Sequence, residues 1–118
     1  MTAQNTAPIP ELYVSYDSAA KLKLEAGDLP SWDLTPRQIC DLELLMNGGF
    51  NPLKGFLSEK DYDSVVDKMR LTDGTLWPMP ITLDVSKDFA DKIKAGQDIA
   101  LRDQEGVILA ILSVSDKW

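Results

Sequence analysis

The sequence predicts a domain of mixed α and β structure with several short strands, on three observations. First, Thr35 to Met46 has the caps and the apolar face of a helix, and a glycine-bearing turn follows it. Second, 81–85, 98–102 and 107–114 carry the alternating or branched apolar pattern of strands. Third, Asn47-Gly48-Gly49, Thr72-Asp73-Gly74-Thr75 and Asp103-Gln104-Glu105-Gly106 are turn signals that separate these runs.

The elements follow in chain order. Met1 to Pro10 is small and polar with two prolines, and is expected to be a flexible arm; residues 11–118 then form a single domain. Glu11 to Tyr16 has enough apolar and aromatic residues for a short strand. Ser18 to Glu25 reads as a helix capped by Asp17 or Ser18, and Gly27-Asp28-Leu29-Pro30 ends it. Trp32 sits just before the next cap, placed to staple onto the helix.

That helix is the pivot of the chain. Thr35 is its N-cap, Pro36 stands at N1, where a missing N–H is no loss, and Gln38 completes a capping box. Ile39, Leu42, Leu45 and Met46 share one face. Asn47-Gly48-Gly49 supplies left-handed backbone to end it, with at least one of the two glycines at positive φ. Phe50, Leu53 and Phe56 follow in a loop stiffened by Pro52 and bent at Gly55. So many apolar side chains in a loop require it to fold back onto a core.

Ser58 caps the next helix, whose Tyr62, Val65, Val66 and Met69 form an apolar stripe, with Arg70 in its last turn. Arg70 to Thr72 is expected to pair with Thr75 to Trp77 across the 72–75 turn. Pro78 and Pro80 restrict Leu76 to Pro80 to an edge at best. Ile81, Leu83 and Val85 alternate with Thr82 and Asp84 as in a half-buried strand. Ser86 opens a short helix through Ile93, which Lys94-Ala95-Gly96 closes. Asp98 to Arg102 is a strand, and Val107 to Val114 is long and branched enough for a central one.

The totals narrow the function. The net charge is −7, so a phosphate backbone is repelled and nucleic acid is not an expected partner. One cysteine, Cys40, permits no internal disulfide and fits a reducing compartment. No run approaches the roughly 20 apolar residues that span a bilayer, and Met1 to Pro10 has no signal-peptide pattern. A cytoplasmic protein without a membrane partner is expected. There is no histidine, which excludes a Ser-His-Asp or Cys-His pair and any His-ligated metal within this sequence.

The apparent sites have plainer readings. Gly48-Gly49 with Lys54 is no phosphate loop: the Gly-Lys-Ser/Thr order is missing, and the glycines follow a helix, at its negative end. Asp61, Asp63 and Asp67 lack the order of a calcium loop and fit a solvated helix face. Cys40 has no activating histidine, and Asp41 beside it disfavours a thiolate; it is expected to be inert and buried. Trp32, Trp77 and Trp118 fit packing better than base stacking on so acidic a chain.

Asp41-Leu42-Glu43-Leu44-Leu45, running into Asn47-Gly48-Gly49-Phe50, Pro52-Leu53 and Gly55-Phe56, resembles the N-terminal domain of the ATP sulfurylase (sulfate adenylyltransferase) family. The likeness continues through Asp73-Gly74-Thr75-Leu76-Trp77-Pro78-Met79-Pro80-Ile81-Thr82-Leu83-Asp84-Val85 and resumes at Gly96 to Arg102. It covers roughly 30–118 and is similar above all to bacterial forms fused to adenylylsulfate kinase. The resemblance implies a mainly β fold with peripheral helices, a PUA-like β-barrel. It implies a non-catalytic domain that supports a catalytic domain of the same protein and takes part in a homo-oligomer interface. That family joins ATP, with Mg, and sulfate into adenylylsulfate and pyrophosphate, using Gln-x-Arg-Asn-Pro and His-x-x-His runs that this sequence lacks. No catalytic, cofactor or metal residue is therefore assigned. Asn47, Gly48, Gly49, Phe50, Pro52, Leu53, Gly55 and Phe56 are assigned as a structural family loop. The alternative is a free-standing PUA-like binding module, with RNA disfavoured by charge.

Overall fold

The computed structural model describes residues 12–118; the N-terminal arm expected at 1–10, and Glu11, lie outside the described residues. Four helices and three strands follow in the order α1 (Tyr16–Ala26), β1 (Ser31–Asp33), α2 (Pro36–Met46), α3 (Glu59–Lys68), α4 (Lys87–Lys92), β2 (Asp98–Arg102) and β3 (Ile108–Ser113). The strands form one mixed sheet in the order β1-β2-β3, parallel between β1 and β2 and antiparallel between β2 and β3. The fold is α+β. Helix outweighs strand among the described residues, which corrects the mainly β expectation, and these strands do not close on themselves.

Each helix starts where a hydroxyl side chain can cap it. Ser15 accepts from Ser18 N–H, Thr35 from Gln38, Ser58 from Asp61 and Ser86 from Phe89. In α1 this cap moves the start forward to Tyr16. Residues 12–15, expected as a strand, form no element; Leu12 N–H bonds the Met46 carbonyl at 2.7 Å instead. Gly27 closes α1 in a right-handed conformation, so the chain leaves through a tight turn rather than a left-handed cap.

Two apolar clusters hold the elements together. Leu34, Leu42, Ile93, Ile99, Leu101 and Val114 form one, under the sheet. Leu45, Phe50, Leu57, Val65, Leu71, Trp77 and Ile81 form the other, between α2, α3 and the 70–81 segment. Phe56 packs against both.

Several expectations need correction. Trp32 lies in a strand, pairing with Leu101, and its ring stacks obliquely on Phe89 at 5.3 Å. In α3, Val65 is buried and Tyr62 partly so, but Val66 and Met69 are exposed. The helix stops at Lys68 and Met69 turns left-handed (φ 56°), which takes Met69 out of the stripe and leaves Arg70 beyond the helix, while Val66 lies on an exposed side of the helix itself. Arg70 and Leu76 form a single antiparallel bridge across the 72–75 turn. Residues 81–85 make no ladder, although Ile81 is buried and Asp84 exposed; their carbonyls go instead to Leu57 N–H and the Gln38 side chain. The centre of the sheet is β2, and β3 is an edge. Cys40 is exposed, not buried.

Candidate functional site

The Asn47–Phe56 loop grows from the end of α2. Asn47 N–H still bonds the Glu43 carbonyl, and Asn47 Oδ1 accepts from Gly49 N–H at 2.8 Å. Gly48 takes φ 83°, the left-handed conformation that a β-carbon disfavours. Phe50 N–H then reaches back to the Leu44 carbonyl, Asn51 N–H to Gly48 and Leu53 N–H to Phe50. The Asn51–Pro52 peptide bond is cis. These bonds wind the chain into two tight turns that drive Phe50 inward.

Phe50 is buried edge-on against Trp77, with ring centroids 5.7 Å apart and planes at 84°. This geometry sets the positive ring edge against the negative ring face. Leu53 packs on the same cluster. Asn51 and Pro52 are exposed at the tip, while Gly49 is held against Leu44 and Asn47. Gly55 has open space around it and no positive φ, so the bend there does not require glycine.

A second junction lies at the other end of α2. Gln38 is 2% exposed, the one buried polar side chain among the described residues. Its oxygen accepts from the Trp32 indole N–H at 3.2 Å and the Thr35 N–H at 3.0 Å, and its amide donates to the Asp84 carbonyl at 2.6 Å. One side chain thus caps α2, holds β1 and ties down the unpaired 81–85 segment. Thr35-x-x-Gln38 announced the cap; the contacts to Trp32 and Asp84 carried no local signal. Beside it, Arg37 and Asp84 form an exposed ion pair at 3.4 Å, which contributes little.

The other sequence candidates separate. Asp61 Oδ1 accepts from both Thr72 N–H and its hydroxyl, so it anchors the 72–75 turn. Asp63 and Asp67 are exposed. Among the described residues no group of three His, Cys, Asp or Glu side chains is placed to hold a metal ion. Trp77 is buried with its indole N–H unpartnered among the described residues, and Trp118 lies against Tyr62 with ring centroids 4.7 Å apart. No described helix is long and apolar enough to cross a membrane.

Residues 2–118 match the family described as PUA-like domain. The chain belongs to this family. Within curated proteins it is 51% identical over 105 residues to the sulfate adenylyltransferase of Eremothecium gossypii, covering 87% of this chain and 21% of that protein. It is 55% identical over 94 residues to the sulfate adenylyltransferase of Saccharomyces cerevisiae, covering 80% and 18%. The chain therefore spans about a fifth of the length of these relatives, at their N-terminal part. Among solved structures, the hexameric APS kinase from Thiobacillus denitrificans superposes with a TM-score of 0.85 at 40% identity, over 94% of this chain and 22% of that one. The PUA-like domain resemblance read from 30–118 thus extends over almost the whole sequence.

Proposed function

We propose that this chain serves as the N-terminal, non-catalytic supporting domain of a sulfate adenylyltransferase, which converts ATP and sulfate into adenylylsulfate and pyrophosphate. One observation carries the reading: identity of 51–55% to sulfate adenylyltransferases that runs through most of this chain yet spans only a fifth of theirs. In this reading the 47–56 loop is a structural device that locks α2 to the Trp77 cluster. The three-stranded sheet is one arc of the PUA-like barrel. ATP and Mg bind to the rest of the enzyme, because the residues here do not fit them: there is no histidine, no phosphate loop and no acidic group of three among the described residues. The partners are the catalytic domain of the same protein and other copies of it, as the hexameric state of the structural neighbour suggests. The compartment is the cytoplasm.

The experiment is a graft. This chain replaces the matched N-terminal stretch of the Saccharomyces cerevisiae relative, and pyrophosphate release with ATP and sulfate is measured for the chimera and for the 118-residue chain alone. The chimera is expected to turn over and the chain alone to be inactive. A folded chimera without activity, or turnover that follows the chain through purification, overturns the reading. A free-standing RNA-binding module would show salt-dependent RNA affinity in the micromolar range or tighter, which the net charge of −7 opposes.

A further inference from the structure

Asp116, Lys117 and Trp118 follow one another along the chain, and each makes its own contact. Asp116 Oδ2 accepts from the Glu59 N–H at the start of α3, at 2.9 Å. Lys117 Nζ donates to the Ala90 and Ile93 carbonyls at the end of α4, at 2.9 Å each. The Trp118 ring lies on Tyr62 of α3, tilted by 45°. Before them Val114 is buried, its N–H bonded to the Gln97 carbonyl and its carbonyl to the Gly96 N–H.

The signs of the charges fit the helix ends they meet. Ser58 caps α3 by accepting from the Asp61 N–H. A capping hydroxyl reaches N2 or N3, so the Glu59 N–H at N1 needs another acceptor. Asp116 supplies it and sets a negative charge at the positive end of the helix. Lys117 sets a positive charge at the opposite, negative pole of α4. The reverse order, a lysine followed by an aspartate, would set like charge against each end. The two helices also belong to different apolar clusters. Val65 of α3 lies in the Trp77 cluster, and Ile93 at the end of α4 lies in the cluster under the sheet. Two adjacent side chains of opposite charge therefore bridge the two halves of the core.

We propose that Asp116, Lys117 and Trp118 form a clasp that fixes the direction in which the chain leaves this domain, and so holds the domain at one orientation to the rest of the enzyme. The inference rests on the function proposed above, in which a catalytic domain follows. In the relatives most of the length lies beyond the stretch matched here, so the clasp orients the first residues of that remainder. The β2–β3 ladder ends at Ser113, and Gln97 holds Val114. Beyond that point these three side chains set the path.

Amide hydrogen exchange in the 118-residue chain reads the clasp itself. Asp116→Ala should speed exchange at Glu59 by about tenfold or more, because N1 loses its acceptor, while the Asp61 amide on Ser58 stays protected as the internal reference. Orientation is read in the chimera, as the distance distribution between spin labels on the exposed Cys40 and on one engineered surface cysteine of the catalytic part, its native cysteines replaced. Labelled copies are diluted into unlabelled ones. The parent should give one narrow distribution and Lys117→Arg the same. Asp116→Ala and Lys117→Met should each give one at least about twice as wide, since a domain released from a fixed exit moves against its neighbour. Lys117→Met leaves the Asp116–Glu59 bond in place and carries the test if Asp116→Ala unfolds α3. In an active chimera, an unchanged Glu59 rate in Asp116→Ala, or unchanged widths in both variants, overturns the clasp and leaves the proposed function standing. A folded parent chimera without activity overturns the proposed function and the clasp with it.

Discussion

The side-chain amide of Gln38 donates to the main-chain carbonyl of Asp84 at 2.6 Å, joining two points 46 residues apart in the chain. The same side chain accepts from Trp32 and Thr35. Gln38→Ala strands two N–H donors and a carbonyl in a largely buried place, so it should destabilise the domain by about 2–4 kcal/mol, more than loss of a cap alone. Gln38→Glu keeps the acceptor and loses the donor to Asp84, and should fall between. Urea melts of the three proteins decide; a Gln38→Ala midpoint equal to that of the parent would mean the junction carries no stability.

Gly48 and Gly49 differ in the reason each resists alanine. At Gly48, φ 83° puts a β-carbon in the left-handed region, worth about 1–2 kcal/mol. At Gly49 the backbone is permissive, but a β-carbon would come within 2.8 Å of a Leu44 methyl and 2.9 Å of Asn47 Oδ1. Leu44 can move aside, while Asn47 must give up its bond to Gly49 N–H, a loss of about 1 kcal/mol. Gly48→Ala should therefore be the more damaging, with Ala19→Gly in α1 as a helix-interior comparison at about 0.5–1 kcal/mol. Equal melts for Gly48→Ala and the parent would remove the turn from its structural role.

Trp77 tests packing against polarity. Its ring is buried edge-on to Phe50, and its indole N–H has no partner among the described residues. Trp77→Phe keeps an aromatic ring and removes the unsatisfied donor, so it should cost only about 1 kcal/mol; Trp77→Ala should cost about 3–5 kcal/mol. Equal losses for the two variants would mean that the buried ring contributes nothing through its packing on Phe50.

Asp73 is the group whose turn geometry bears on its acidity. Hydrogen bonds from the Thr75 backbone and side chain hold its carboxyl below the ordinary 3.8. A carboxyl held low contributes stability that is present above its unfolded value and is lost as pH falls through its folded value. Asp73→Asn should weaken the 72–75 turn at neutral pH, and the difference from the parent should shrink as the solution is acidified below 3.8. A carbon-detected NMR titration of Asp73 gives the direct check: a midpoint at or above 3.8 contradicts the geometry.

What could be read from the sequence was local. The cap, the capping box, the proline at N1 and the glycine turn of α2 lie within one continuous stretch, and each names its own geometry. The same holds for the serine caps of α3 and α4 and for the Asp103–Gly106 turn. Errors came where a distant partner decides. Trp32 belongs to a strand only because β2 comes to lie beside it, and three residues are too few to show a period. Residues 81–85 alternate apolar and polar side chains as a strand would, yet no described strand pairs with them. Met69 and Arg70 fit a helix two residues longer than the one that forms, and Val66 lies within it on an exposed side. At the site, the loop residues were legible and Gln38 was legible as a cap; its hold on Asp84 was not.

The parallel pairing of Ser31 with Ala100 has a consequence for synthesis. A ribosome delivers β1 early and β2 late, at roughly 5–20 residues per second, so β1 stays without its partner for on the order of several seconds. Over that interval the α2–loop–α3 half can already assemble, since its apolar contacts span little sequence, whereas the sheet must wait for high-contact-order closure. The nascent chain is thus left with Trp32, Leu34 and Leu42 uncovered until Ile99 and Leu101 arrive, and a translational pause placed after Ile81 would prolong that exposure.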